Sequence, residues 1–288
     1  MIESLQKKGL LSVIESEGQL MSYTFIGKLN EAFELLNKII VEVIASQWQV
    51  TPHSCATVIE KSILDEIDFF KKLPSIPFHV IPHSQEGNEE QTTGKWVLNP
   101  STCYHTFNCL RNQPEHWILK CFTALGHCHR FEPRRNDLTR LGCFSMREFV
   151  FVGDSESVAS SADKAFDLII NLIERCGLKI QKEIATDVFY GDDSAAIRKV
   201  QRILEVKIEA VVIGPQELPV SVGSRNLHRD LFTATFNIGD PTLQEKMHSA
   251  CVAFGMERLL LCLLAIVPDN CPIKLIEILE SSKSNFNE

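Results

Sequence analysis

The stretch that decides the fold runs from Gly126 to Gly153. It reads Gly126-His-Cys-His-Arg-Phe-Glu132, a charged loop Pro133-Arg-Arg-Asn-Asp-Leu-Thr-Arg140, and then Gly142-Cys-Phe-Ser-Met-Arg-Glu-Phe-Val-Phe-Val-Gly153. Apolar and aromatic residues fill both flanks and a Pro-led polar loop parts them, so the pattern predicts two strands, 126–132 and 142–153, folded back on each other. Alternate residues of a strand share a face. Arg130 and Glu132 therefore point the same way, as do Phe144, Met146 and Glu148 on the returning strand. An exposed outer face accounts for such charges. So does a bound nucleotide, because arginine neutralises phosphate and an aromatic ring stacks on a base.

Working outward, Leu29, Ala32, Phe33, Leu36, Ile39, Ile40 and Val43 repeat with the spacing of one helical face, which predicts an amphipathic helix over Leu29 to Ile44. A short strand, Trp48-Gln-Val50, then meets Thr51-Pro52, and Cys55 to Phe70 reads as a second helical region. Phe78-His-Val-Ile81 and Lys95-Trp-Val-Leu98 read as neighbouring strands around the polar segment Glu86 to Gly94. Pro100-Ser-Thr-Cys103 opens a further helix with Ser or Thr as its cap. Beyond the decisive stretch come a helix from Ser157 to Cys176, a strand near Ile180 to Ile184, a helix near Ser194 to Leu204, two strands before Ile238 and a last long helix from near His248. On that last helix Cys251, Gly255 and Arg258 would share one face. This mixture predicts an α+β domain on a largely antiparallel sheet.

Of the 288 residues 44% are hydrophobic, so a large core is available and disorder is excluded as the main state. With 29 basic and 37 acidic side chains the net charge is −8, which argues against a broad basic face for nucleic acid. The opening residues lack the apolar stretch of a secretory signal, and the longest strongly apolar run, Leu259 to Val267, is about half of the roughly 20 residues that span a bilayer. A soluble cytoplasmic protein with no membrane partner is expected. The ten cysteines are expected to be reduced, most of them serving as small buried hydrophobes. His127-Cys-His129 offers two imidazoles on one strand face, though such a pair needs no metal.

Taken together, these segments resemble the catalytic fold of class II aminoacyl-tRNA synthetases. Arg130-Phe-Glu132, the charged loop, Arg140 and Phe144 resemble that family's motif 2; Ala253-Phe-Gly255-Met-Glu-Arg258 resembles motif 3; and Trp48 to Pro52 after the long helix resembles motif 1. Seryl-tRNA synthetases carry a Thr-x-Glu loop before motif 2. Here the corresponding run is Pro100-Ser-Thr-Cys103, with cysteine in place of the glutamate. That change, with Glu148 ending motif 2 and Cys251 entering motif 3, is similar to the atypical zinc-dependent seryl-tRNA synthetases and their shortened relatives, the amino acid:[carrier protein] ligases.

The resemblance implies a zinc ion held by Cys103, Glu148 and Cys251, a sound ligand set that leaves an open coordination position for a substrate's α-amine. It implies ATP binding by Arg130 at the α-phosphate, Glu132 at the adenine amino group, Phe144 on one adenine face, Arg140 over the phosphates, and Arg258 on the opposite face and the γ-phosphate, with Arg130 and Arg258 as catalytic residues. The implied reaction joins a small amino acid to ATP as an aminoacyl-adenylate and passes it to the phosphopantetheine thiol of a carrier protein. About 28 residues precede the first long helix. The expectation is accordingly a single catalytic domain over 1–288, with a short N-terminal segment 1–28 and no tRNA-binding domain, which with the acidic balance argues against tRNA as acceptor. In the ligases an extra helix docks the acidic carrier, and Arg198, Lys199 and Arg202, within a candidate inserted helix over 192–206, are the residues here; a solvated helix face explains them equally. The class II core also implies a homodimer, with the motif 1 helix and Pro52 near the twofold axis.

The chain departs from the family at Ala253, where motif 3 usually begins with Gly, and at Val220, where an ungapped alignment of Lys207 to Asn226 puts the magnesium-binding glutamate of seryl-tRNA synthetases. Glu209 is the acidic candidate for magnesium, and Ser224 and Asn226 are candidates for the amino-acid pocket. Two other readings stay open: adenylation with a different acceptor, and a synthetase-like paralogue that only binds an amino acid.

Overall fold

The computed structural model describes residues 1–16, 19–73, 76–81, 94–131, 141–185, 202–213 and 219–284. A short helix α1 (Ile2–Lys7) leads into the hairpin β1 (Leu11–Ser16) and β2 (Gln19–Phe25). Helix α2 (Lys28–Ala45) follows, one residue longer at each end than its apolar spacing predicts, and buries Leu29, Ala32, Phe33, Leu36, Ile39, Ile40, Val43 and Ile44. Each large aliphatic or aromatic side chain among them contributes about 1.5–3 kcal/mol by leaving water. Strand β3 (Val50–Pro52) comes next, then β4 (Val58–Glu60), α3 (Lys61–Asp65), α4 (Phe69–Lys72), β5 (His79–Val80), β6 (Trp96–Leu98) and α5 (Cys103–Cys109). The decisive stretch forms β7 (Leu119–His129) and β8 (Cys143–Gly153), paired antiparallel. The remainder runs α6 (Ser155–Arg175), β9 (Ile180–Ile184), β10 (Lys207–Ile213), β11 (Pro219–Arg229), α7 (Leu231–Thr235), β12 (His248–Gly255), α8 (Met256–Ala265) and α9 (Pro272–Ser284).

Seven strands form one sheet in the order β3-β7-β8-β12-β11-β10-β9, antiparallel throughout except for β3 beside β7. One face carries α2, α6, α8 and α9 over the larger apolar core, which includes Phe149, Phe151, Phe166 and Phe254. Arg147 crosses this layer: its Nε donates to Asn37 Oδ1 of α2 at 2.8 Å and its Nη1 to Thr123 Oγ1 at 3.1 Å. The opposite face is roofed by α3, α4, α5, α7 and a small sheet ordered β4-β6-β5, around a second core that holds Phe107, Phe232, Phe236, Cys103 and Cys251. Residues 1–28 are part of the same fold, since Leu5 and Leu11 are buried in the larger core.

Three elements differ from the sequence expectations. Cys55 to Phe70 is not one helix: Val58–Glu60 pairs with β6, and the left-handed backbone of Asp68 (φ 57°) separates α3 from α4. The first strand of the decisive pair begins at Leu119, seven residues earlier than expected. Most consequentially, the segment from His248 is a strand and the helix begins only at Met256, so Cys251, Gly255 and Arg258 do not lie along one helical face. A central strand covered on both sides is apolar on both, and Ser249 through Phe254 are all buried. Its pattern therefore lacks the alternation that marks a half-buried strand and reads equally as buried helix. The helix expected near Ser194 to Leu204 falls almost wholly outside the described residues.

Candidate functional site

Directly paired residues of antiparallel strands project to the same side. The register places Glu148, Ala253, Ser224 and Glu209 in one row across β8, β12, β11 and β10, and Val150, Cys251, Asn226 and Lys207 in the next. Both rows line the face roofed by α5. Cys103, the first residue of α5, comes down from that roof because the sheet lets its loop approach closely: a Cβ on Gly126 would stand 2.6 Å from Thr102 Oγ1. Thr102 makes no side-chain cap for α5; its hydroxyl instead meets Cys128 Sγ at 3.6 Å.

The thiols of Cys103 and Cys251 meet each other and the Glu148 carboxyl in hydrogen-bond contact, and all three residues are buried. Burial pushes the Glu148 carboxyl above the ordinary carboxylate value, against the hydrogen bonds from both thiols and the charge of Arg130, which favour ionisation. The Cys251 thiol stands well above its ordinary value because of its hydrogen bond with Cys103, its burial and the nearby negative charge of Glu148. Glu148 Oε2 is buried with no hydrogen-bond partner among the described residues. Cys251 Sγ also accepts from Asn226 Nδ2 at 3.5 Å, and that amide donates to Ser224 Oγ at 3.0 Å. Among the described residues no group of three or more His, Cys, Asp or Glu side chains is arranged to hold a metal ion. The expected zinc residues thus come together as a hydrogen-bonded trio rather than as a ligand cage.

At the other end of the same face, the Arg130 guanidinium lies 5.5 Å from the centre of the Phe144 ring, and its Nε donates to Pro100 O at 2.8 Å. Met146 and Ala253 pack beside Phe144 and Cys128. Arg258, in the first turn of α8, donates from Nη1 to Ser221 O at 2.5 Å. Glu132, Arg140, Arg198 and Lys199 lie outside the described residues, while Arg202 is exposed. Glu209 is on the site face but engaged with Lys207 Nζ at 3.3 Å. Val220 is not on that face: the register of β10 and β11 shifts between Ala210 and Val211, so Val220 pairs with Val212 and packs against the larger core. His127 and His129 alternate with Cys128 and so project from the opposite face, away from the trio.

Two features escaped the sequence reading. His228 brings Nε2 to 3.5 Å from Cys251 Sγ, with its ring edge-on to Phe232 and Phe107 at 4.7 and 5.8 Å between centroids. Continuing the alternation of Ser224 and Asn226 by one step would have found it. The second is Glu257, whose carboxylate accepts the Ser145 N–H at 2.8 Å from both oxygens and a hydrogen bond from the Tyr23 hydroxyl. Only tertiary contact brings Tyr23 there.

No protein-family model matches the chain. Its sequence is 34% identical over 165 residues to amino acid–[acyl-carrier-protein] ligase 2 of Bradyrhizobium diazoefficiens, covering 57% of this chain and 49% of that one. Ligase 1 of the same organism is 30% identical over 167 residues, at 57% and 50%. The chain thus matches about half the length of these two relatives. The type-2 serine–tRNA ligase of Methanopyrus kandleri is 20% identical, with 99% of this chain and 61% of that one covered. Among solved structures, M. kandleri seryl-tRNA synthetase in complex with Aquifex aeolicus tRNASec superposes with a TM-score of 0.77 at 17% identity, over 97% of this chain and 60% of that one. Giardia lamblia prolyl-tRNA synthetase in complex with prolyl-adenylate superposes at 0.70 and 15%, over 92% and 51%. The fold is therefore that of the class II aminoacyl-tRNA synthetase catalytic domain, and the chain is similar in sequence to amino acid–[acyl-carrier-protein] ligases and to type-2 seryl-tRNA ligase.

Proposed function

We propose that the chain activates a small amino acid with ATP as an aminoacyl-adenylate, releasing pyrophosphate, and transfers the aminoacyl group to the phosphopantetheine thiol of a carrier protein. The observation that carries this reading is the placement, on one face of one sheet, of the Arg130–Phe144 pair and the Cys103–Glu148–Cys251 trio. The similarity to two carrier-protein ligases supports the acceptor. The substrate carboxylate is ionised at neutral pH, so adenylation asks no general base of the protein, only placement and charge stabilisation. Arg130 takes the α-phosphate, Phe144 one face of adenine, and Arg258 the other face and the γ-phosphate. Glu132 reads the adenine amino group and Arg140 closes over the phosphates. Glu209, released from Lys207, is the acid available for magnesium.

Zinc belongs to this proposal through the chemistry of its donors. Two thiols and a carboxyl, buried together, with the Glu148 carboxyl and the Cys251 thiol pushed above their ordinary values and Glu148 Oε2 without a hydrogen-bond partner among the described residues, fit a divalent cation that would offset the burial of negative charge. Bound there, zinc supplies an open position for an unblocked α-amine. Cys103, Glu148 and Cys251 would hold it, and Asn226 and Ser224 would orient the Cys251 sulfur and line the amino-acid pocket.

Arg198, Lys199 and Arg202 are proposed to meet an acidic carrier protein. A homodimer is proposed with α2 and Pro52 near its axis, supported by the position of β3 at the edge of the seven-stranded sheet. Absence of a dimer in solution scattering would count against it.

The test is amino-acid-dependent exchange of pyrophosphate into ATP across all amino acids with zinc present, with Cys103→Ala as control and zinc content measured by mass spectrometry. Exchange with a small amino acid, lost together with zinc in the variant, is expected. No exchange with any amino acid favours a binding-only protein. Mass addition to a phosphopantetheinylated carrier, set against tRNA charging, then separates the acceptors. Charge reversal at Arg198 and Arg202 is expected to raise the apparent KM for carrier and leave exchange unchanged.

A further inference from the structure

We propose that Tyr23, on the N-terminal hairpin, is a positioning residue for the two residues that grip the nucleotide, acting through Glu257. This inference rests on the ATP reading of Phe144 and Arg258. Strand β12 ends at Gly255, which pairs with Met146, whereas β8 continues to Cys143, so the edge of β8 beyond Met146 has lost its β12 neighbour. The Ser145 N–H at this edge is taken by the Glu257 carboxylate at 2.8 Å, inside a region where Ser145 is 2% and Glu257 1% exposed. Ser145 follows Phe144 and Glu257 precedes Arg258. One buried carboxyl group thus ties the strand carrying one jaw to the helix carrying the other. Tyr23 supplies that carboxyl's side-chain donor, beside the main-chain N–H groups of Ser145 and of Glu257 itself. Its strand is anchored on α2 by the ring series Tyr23, Phe25 and Phe33, with centroids 4.7 and 5.7 Å apart. Without the phenol, Glu257 keeps, among the described residues, only main-chain donors, the N–H groups of Ser145 and of its own residue, and its carboxyl is no longer tied to the hairpin. The separation of Phe144 from Arg258 would then no longer be set.

Tyr23→Phe removes the hydroxyl and keeps the ring. Leu5→Ala, at a buried position of α1 outside that ring series, loosens the N-terminal segment and keeps both the hydroxyl and its anchor. In pyrophosphate exchange, Tyr23→Phe is expected to raise the KM for ATP about tenfold, the worth of one hydrogen bond, while kcat and the KM for the amino acid change less than twofold. Leu5→Ala is expected to lower Tm with the ATP KM within twofold of wild type. An unchanged ATP KM in Tyr23→Phe, or an equal rise in both variants, overturns the inference and leaves the adenylation reading intact. A wild-type chain that neither exchanges pyrophosphate nor binds ATP by calorimetry overturns both.

Discussion

Gly126 of β7 lies directly beneath Thr102, so closely that a β-carbon on the glycine would stand 2.6 Å from the threonine hydroxyl oxygen and 3.2 Å from its Cβ. Thr102 is 1% exposed and cannot swing away. Because Cys103 begins the next helix, this contact fixes how deep its thiol reaches toward Cys251.

Gly126→Ala is expected to lift the 100–103 loop from the sheet. Overpacking of this kind costs about 1–3 kcal/mol, to be read from the urea midpoint. On the proposed function, amino-acid-dependent exchange should fall at least tenfold while ATP binding by calorimetry stays within twofold.

The Glu257 carboxyl makes a prediction for pH. Burial raises it from 4.5 to about 8 despite the Ser145 N–H and the charge of Arg258. Between those values the folded chain holds a proton that the unfolded chain has released, so this group's contribution to stability falls as pH rises from about 4.5 to 8 and levels off above. Glu257→Gln removes the dependence. Relative to wild type, the variant's denaturation free energy should improve by a few kcal/mol, on the order of the linkage per pH unit times the span, between pH 5 and pH 8. A constant difference across that range would refute the assignment.

Asn37 is the α2 partner of a buried guanidinium. Burial depresses the Arg147 side chain to about 10, which marks how little solvent it retains. Asn37→Ala leaves its Nε unsatisfied in that setting and is expected to destabilise the fold by about 1–3 kcal/mol. Asn37→Asp, which restores an acceptor, should recover most of the loss in the same urea titration.

His228 closes the space beside Cys251 together with Phe232 and Phe107. If the substrate amine is held at the trio, the amino-acid side chain must lie near this wall. His228→Ala is expected to extend exchange to larger amino acids and weaken it for the smallest. A profile identical to wild type would place the pocket elsewhere.

Much of this arrangement is legible in the sequence. The alternation of Arg130, Phe144, Met146 and Glu148 on two strands is local, and local periodicity survives folding, so β7 and β8 and the face they share were readable. The spacing of α2 was readable for the same reason, as an amphipathic face must repeat every turn. Cys251 was recognised as a candidate ligand through resemblance and yet assigned to the wrong element. Its strand is buried on both sides, and a doubly buried strand and a buried helix carry the same composition. The side of the sheet that Val220 faces was not legible, because a register shift is a property of two strands in contact, invisible in either one alone.

By itself, then, the sequence determined which residue types were available and which of them share a strand or helix face: two thiols, a carboxylate, two arginines and an aromatic ring, on an α+β chain of acidic balance. The tertiary structure decided their meetings. That Cys103 of a roof helix touches Cys251 of a floor strand, that Val220 faces the opposite core, and that Tyr23 reaches Glu257 across 234 positions of the chain all depend on long-range packing, to which residues far apart in sequence contribute and which no local pattern encodes.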